Sequence, residues 1–241
     1  KFIGFAFIFA ATSLFIGFNV IRLFPKSPAS DPISVNAMAD NIIIIDAGHG
    51  GEDGGAFSSD GTLEKDINLA ISNDLAAIFR IAGFNVKTSR SDDRMLYDMY
   101  SDLNDYSRLK KAYDLKNRLR FAKENNGTLF IGIHCNKFPD TRCHGMQIFY
   151  SPKSPKSAEL AESLKKYNNL YREPDNTREI KKATSSIFVL NNIEIPAILV
   201  ECGFLSNPDD TEKLNAPAER AKIAVTVFAA ICDSLTDVDA S

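Results

Sequence analysis

Short apolar runs alternate along this chain with longer stretches in which apolar positions recur every three or four residues. The first pattern marks strands buried on both faces, the second helices that bury one stripe. The runs predict strands at Ile42 to Asp46, Asn85 to Ser89, Leu129 to His134, Met146 to Ser151, Ile187 to Leu190 and Ala197 to Glu201. The longer stretches predict helices at Lys65 to Ala82, Lys111 to Asn125, Ser157 to Leu170, Asp209 to Leu214 and Pro217 to Leu235. Gly83 follows the first helix as a stop signal, and Pro208 and Pro217 stand where a first helical turn tolerates a missing N–H. Strands and helices in alternation imply an α/β fold: a single catalytic domain with a twisted, mainly parallel or mixed six-stranded sheet covered by helices. No internal repeat is visible.

A different pattern precedes this domain. Phe2 to Ile21 contains no charged residue and no polar face, and is long enough to cross a bilayer as a helix. We read residues 1–24 as a transmembrane anchor rather than a removed signal, because Arg22 and Lys26 follow at once and the nearest small-x-small site, Ala37-Met38-Ala39, lies well downstream. If the segment were cleaved, the protein would be secreted. Lys1 on one flank and Arg22 and Lys26 on the other leave the positive-inside count undecided. Residues 25–40, rich in proline, serine and small side chains, read as a linker, and residues 41–237 as the catalytic domain.

Charge then narrows the partners. Of 28 Lys and Arg, Lys1, Arg22 and Lys26 belong to the acid-free leading segment, so 25 remain against 31 acids. A domain of that sign lacks the basic face that phosphate neutralisation requires, which argues against nucleic acid. Four cysteines without C-x-x-C spacing are too few for a disulfide scaffold, and each is expected to act as a small apolar residue.

The chemistry sits where apolar runs end. His49 closes "IIIIDAGHGG", His134 closes "TLFIGIHCN" and Glu201 closes "PAILVECGFLSN". Strand ends of this kind deliver polar side chains to one rim of an open sheet, where α/β folds keep their ligand crevices. With Glu64 from "GTLEKDINLA", the set is two imidazoles, a carboxylate and a spare acid. That is the composition of a hydrolytic zinc site: three protein ligands, a water in the fourth position and a base for its proton. The glycines around His49 fit neither G-x-G-x-x-G, since Asp53 falls where the third glycine should be, nor a P-loop. Glu64 would otherwise pass for an acid at a helix start, favoured by the macrodipole. Glu52 and Asp53 compete with it as the third ligand. Alternation along the strand turns Ile131, Ile133 and Cys135 away from His134. His144, beside Cys143 with no further ligand spacing, is assigned to a loop, and Arg90, Arg118 and Arg178 to surface or packing salt bridges.

In order along the chain, "DAGHGGEDGGAF", "LEKDINL", "TSRSDD", "LKNRLRFAKENN", "FIGIHCN", "FVLNN" and "PAILVECGFLSNPDD" together resemble the catalytic domain of the zinc-dependent N-acetylmuramoyl-L-alanine amidases, over Ile42 to Leu235. Within that family, "YSRLKKAYDLKNRL" and "NTREIKKATSSIFVLNN" are most similar to sporulation amidases that help to make the muramic lactam of spore cortex. Ala47 stands where the family usually has proline, and Cys135 and Cys202 stand at variable positions. The resemblance selects Glu64 over Asp53 as the carboxylate ligand and implies one zinc per chain on His49, Glu64 and His134. It also implies Glu201 as general acid and base, peptidoglycan as substrate, an extracytoplasmic catalytic domain, and an accessory protein or the anchor to supply local concentration.

Two rivals remain at this level: a zinc peptidase acting within the stem peptide, and a non-catalytic wall-binding or scaffold protein that kept the fold. The second would be favoured by loss of a ligand or of Glu201, and all four residues are present. Residues 91–110, polar and tyrosine-rich, form a connection longer than usual in such folds and read as a cover or contact surface beside the site.

Overall fold

The computed structural model describes residues 41–96 and 110–236. The expected anchor and linker, residues 1–40, and most of the long connection, residues 97–109, lie outside them. Among the described residues no helix is long and apolar enough to cross a membrane.

The chain runs β1 (Ile42–Ala47), α1 (Glu64–Ile81), β2 (Asn85–Thr88), α2 (Lys110–Glu124), β3 (Leu129–Asn136), β4 (Gln147–Tyr150), α3 (Lys156–Tyr171), β5 (Lys181–Lys182), α4 (Phe188–Asn192), β6 (Ala197–Phe204), α5 (Pro208–Asn215) and α6 (Pro217–Thr236). The six strands form one sheet in the order β2-β1-β3-β6-β4-β5. Strands β2, β1, β3 and β6 are parallel, whereas β4 runs antiparallel to β6 and carries β5 parallel to itself. The sheet is therefore mixed, as the alternation of elements implied.

Both faces are covered. Ile43 and Ile45 of β1, Ile131, Ile133 and Cys135 of β3, and Ile198, Val200 and Cys202 of β6 pack beneath α1, α3 and α6. The alternate residues Ile44, Phe130 and Leu199 face α2 and α4. This two-sided burial explains why β1 is four isoleucines in succession rather than an apolar-polar alternation. Helix α1 contributes Ile67, Ile71, Leu75 and Phe79, spaced four apart on one stripe, each worth about 1.5–3 kcal/mol of burial. It stops at Gly83, whose φ of +92° is open to glycine without strain.

One predicted element is wrong in kind. Ile187–Leu190 is not a strand: residues Phe188–Asn192 form the short helix α4, and the sixth strand is Lys181–Lys182. A short apolar run has no periodicity by which to tell strand from helix. Here Asn192 Nδ2 bonds back to the Phe188 carbonyl, and Val189 and Leu190 bury against the sheet. The two-residue β5, both lysines exposed, carries no apolar signal at all.

Register now places the rim. Because β1, β3 and β6 are parallel, with Ala47 opposite Ile133 and His134 opposite Glu201, their C-terminal ends arrive at one edge of the sheet.

Candidate metal centre

His49 leaves β1 with a left-handed backbone, φ 61°, uncommon for a residue with a side chain. Two buried arginines hold that turn. Arg118 donates through Nη1 to Ala47 O at 2.8 Å and through Nη2 to His49 O at 2.8 Å. Arg90 donates through Nε to Ala47 O at 2.9 Å and through Nη2 to Gly48 O at 3.0 Å and Lys65 O at 2.7 Å. Asn68 of α1 adds a bond to Gly48 O at 3.2 Å. The carbonyls that leave the sheet where β1 ends are thus paired by fixed side-chain forks, as buried backbone requires. Arg118 is itself clamped by Asp46 at 2.5 Å and Asp114 at 2.8 Å, all three buried.

Three donor groups converge on the rim. His49 Nε2 lies 3.2 Å from Glu64 Oε1, and His134 Nδ1 lies 3.0 Å from the same oxygen. The ligand atoms of His49, Glu64 and His134 all fall within 4.8 Å of one another, and the two rings meet edge to face. Glu64 is fixed by Ala56 N on Oε2 at 2.7 Å, and by Cys135 N at 3.1 Å and Asn68 Nδ2 at 3.3 Å on Oε1. The opposite nitrogen of His49, Nδ1, meets Asp53 Oδ2 at 2.8 Å.

That last contact decides the chemistry. With its Nδ1–H given to the Asp53 carboxylate, a neutral His49 turns the lone pair of Nε2 toward a carboxylate oxygen, so two acceptors face each other and need a cation between them. The electrostatics agree. Burial alone lowers the pKa of His49, but the bonds to Asp53 and Glu64 outweigh it and raise the value to about 9. The two carboxylates are held well below the usual range, Asp53 by its bond to His49 and Glu64 by the two imidazoles against the opposing effect of burial. The site asks for positive charge, which a metal ion would supply in place of protons. The donor set fits a divalent cation.

Glu201, opposite His134 in the ladder, differs from these. Its Oε2 is sequestered and, among the described residues, has no hydrogen-bond partner. Burial raises its pKa to about 7 despite the partly opposing pull of His134. A carboxyl group poised near neutrality beside a metal-ligand cluster can accept a proton and return it.

The structure thus brings the four sequence-predicted site residues to one rim. The competing acids take other parts: Asp53 orients His49, and Glu52 turns outward to Lys110 at 2.7 Å. His144 stays in a loop, its carbonyl bonded to Arg178 Nε at 2.9 Å, while the Arg178 guanidinium lies 4.5 Å from the Phe204 ring centroid. Cys135 and Cys202 are buried on the opposite face of the sheet from His134 and Glu201. Arg118 is a packing salt bridge as expected, but Arg90 is buried and donates to backbone carbonyls. Arg118 lies within α2 and Arg90 just beyond β2, and neither carried a sequence signal for this role. The start of the long connection packs on the same loop, with Asp93 accepting from Gly51 N and Lys65 Nζ at 2.7 Å each.

The N-acetylmuramoyl-L-alanine amidase family model matches residues 43–233. The chain is 32% identical over 200 residues to the germination-specific N-acetylmuramoyl-L-alanine amidase of Bacillus subtilis, covering 83% of this chain and 82% of that one. Among solved structures, the CwlD amidase of Clostridioides difficile, in complex with the GerS lipoprotein, is similar with a TM-score of 0.75 and 36% identity, covering 81% of this chain and 98% of that one. The amidase AmiC2 of Nostoc punctiforme is similar with a TM-score of 0.68 and 26% identity, covering 80% and 96%.

Proposed function

This chain belongs to the N-acetylmuramoyl-L-alanine amidase family, and from that premise we propose that it is a zinc hydrolase cutting the amide between N-acetylmuramic acid and L-alanine in the peptidoglycan of spore cortex. The observation that carries the reading is the convergence of His49 Nε2, Glu64 Oε1 and His134 Nδ1, with Asp53 fixing the His49 tautomer and a sequestered Glu201 beside them.

His49, Glu64 and His134 would hold one zinc ion, which when bound polarises the amide carbonyl and acidifies a water. Glu201 accepts the proton of that water as the carbonyl is attacked. It then returns the proton to the nitrogen of L-alanine, so that the amine leaves neutral and the lactyl group is left as a free acid. Asp53 holds His49 in one tautomer, and Arg90 and Arg118 hold the turn that aims it.

For location we propose that residues 1–24 anchor the chain in the membrane and residues 25–40 tether an extracytoplasmic domain, in keeping with a wall substrate. We further propose an accessory lipoprotein as partner, by analogy with the similar amidase whose structure is in complex with one.

Mass spectrometry of purified muropeptides incubated with the protein, with and without zinc, tests the reading. The amidase releases peptides with a free L-alanine amino terminus and leaves an unsubstituted lactyl acid. Cleavage inside the stem peptide would replace this reading by a peptidase, and intact muropeptides by a binding protein.

A further inference from the structure

A second cleft, of about 480 Å³, opens between the end of α3, α5 and the loop that leads to β5, and shares none of its lining with the metal centre. Register fixes its place. Strand β4 runs antiparallel to β6 with Gln147 opposite Glu201, so Gly145, two residues earlier and part of the cleft wall, stands at the rim where β6 ends. Strand spacing and rise put it roughly 8 Å from Glu201, a length that two or three residues of extended chain span.

The charges in this cleft are unevenly spent. Asp210 Oδ2 accepts from Gly145 N and Phe204 N at 2.8 Å each, and Glu173 Oε2 accepts from Met146 N at 2.8 Å, Asn168 Nδ2 at 3.0 Å and Asn176 Nδ2 at 2.7 Å. Both acids are thereby committed to holding the fold. The cations are not. Arg172, its side chain 7% exposed, gives Nη1 to Asn168 Oδ1 at 2.9 Å and comes no nearer than 3.4 Å to Glu173 Oε1. Its buried Nε has no hydrogen-bond partner among the described residues. Arg178 spends Nε on the His144 carbonyl and rests its guanidinium on the Phe204 ring, with no ion pair among the described residues. Lys213, exposed on α5, likewise has none there. Asp175, exposed, is the one acid in the lining not engaged in this way.

A buried guanidinium nitrogen without an acceptor is costly to keep, and buried donors in folded proteins are rarely left so. Two planar forks and an ammonium that line one cleft, beside acids already saturated by backbone and amide donors, are equipment for an anion with paired oxygens. Resting on the amidase reading, in which the severed bond carries a peptide bearing free carboxylates, we propose that Arg172, Arg178 and Lys213 form a carboxylate subsite that holds the stem peptide two or three residues from the scissile amide.

The test is calorimetric titration of the full chain with the free stem peptide and with the same peptide after its carboxylates are converted to carboxamides, repeated for Lys213→Ala, Arg178→Gln and Asp175→Asn. The wild type should bind the carboxylate form about ten-fold more tightly. Lys213→Ala and Arg178→Gln should each weaken binding of that form about three-fold to ten-fold, on the scale of a lost charge-assisted contact, and leave the carboxamide form unchanged. Asp175→Asn, which removes a like charge, should tighten it. On muropeptides the first two variants should raise KM far more than they lower kcat. Equal affinity of the wild type for the two peptides would overturn the proposal, as would variants that weaken both forms alike. Inorganic phosphate bound through Lys213 and Arg178 by a protein indifferent to the peptide carboxylates would also overturn it, in favour of a free-anion site. Failure of the wild type to cut the muramoyl-L-alanine bond would count against the amidase reading instead, since these affinities are read without turnover.

Discussion

Arg118 Nη2 donates to the carbonyl oxygen of His49 at 2.8 Å, so a buried guanidinium on α2 fixes the backbone of a residue whose side chain faces the metal centre. The same group neutralises Asp46 and Asp114. Replacing it by methionine leaves two buried carboxylates without their partner, a change that costs about 3–5 kcal/mol. Urea unfolding of Arg118→Met should show a loss of that size. Arg118→Lys keeps the charge but not the fork, and should weaken zinc binding about 10-fold to 100-fold, as expected for a group that orients a ligand. Zinc titration giving wild-type affinity for Arg118→Lys would remove the orienting role.

Acid should attack the same frame. Burial pushes the Asp46 carboxyl upward, but Arg118 more than offsets this, and the folded-state value lies below the ordinary one. A depressed carboxyl contributes stability that is present above its unfolded pKa, about 3.9, and is lost as pH falls through the folded value. Asp46→Asn should therefore be less stable near neutrality and show a flatter loss below about pH 4. Urea midpoints across that window measure it; a curve parallel to the wild type would contradict the assignment.

Glu64 and Glu201 should fail in different ways. Glu64 touches both imidazoles, so Glu64→Gln should chiefly weaken zinc binding, with turnover partly restored by added metal. Glu201→Gln keeps size and removes only the capacity to take a proton. It should keep its zinc and lose about 10²-fold to 10⁴-fold in rate. Zinc titration and muropeptide turnover on both variants separate the cases. Near-normal turnover by zinc-loaded Glu201→Gln would mean that another acid moves the proton.

The cysteines should be silent in chemistry. Cys135 and Cys202 follow site residues directly but face the α1, α3 and α6 core, and burial raises both thiols far above the reactive range. Alanine at either position should lower stability by about 1–3 kcal/mol and leave zinc bound. Zinc lost from a folded Cys135→Ala protein would reopen the ligand set.

Much of this site could be read from sequence because strand ends announce it: His49, His134 and Glu201 each terminate a run whose burial is visible as uninterrupted apolar residues. Glu64 was harder, since an acid at a helix start has an ordinary electrostatic reason to be there. The arginine frame was not legible. Arg90 and Arg118 act on backbone carbonyls some 40 to 70 residues away in sequence, and hydrogen bonds to main chain leave no mark on side-chain pattern. The helix α4 was misread for a related reason. Five residues around Phe188 and Val189 hold too little periodicity to declare their form, and tertiary packing chose it.

Glycines around the centre provide the sharpest steric test. A Cβ on Gly48 would stand 2.2 Å from His134 Cε1 and 2.4 Å from its Nε2, with no backbone conformation at issue. At Gly55 the strain is double: φ is +69°, and a Cβ would lie 2.6 Å from Glu64 Oε2 and 2.8 Å from His49 Cδ2. Gly54 next door meets only Leu63, at 3.5 Å, an ordinary contact. Gly48→Ala should thus push the His134 ring off the cluster, and Gly55→Ala should disturb Glu64 and His49 together, while Gly54→Ala leaves all three in place. Zinc affinity should fall by at least about ten-fold in the first two and stay near wild type in the third, consistent with loss of a correctly placed ligand among three. Circular dichroism must show the first two folded for the comparison to count. Wild-type zinc affinity in folded Gly48→Ala would mean that His134 can leave its position without cost, and hence that it does not hold the metal.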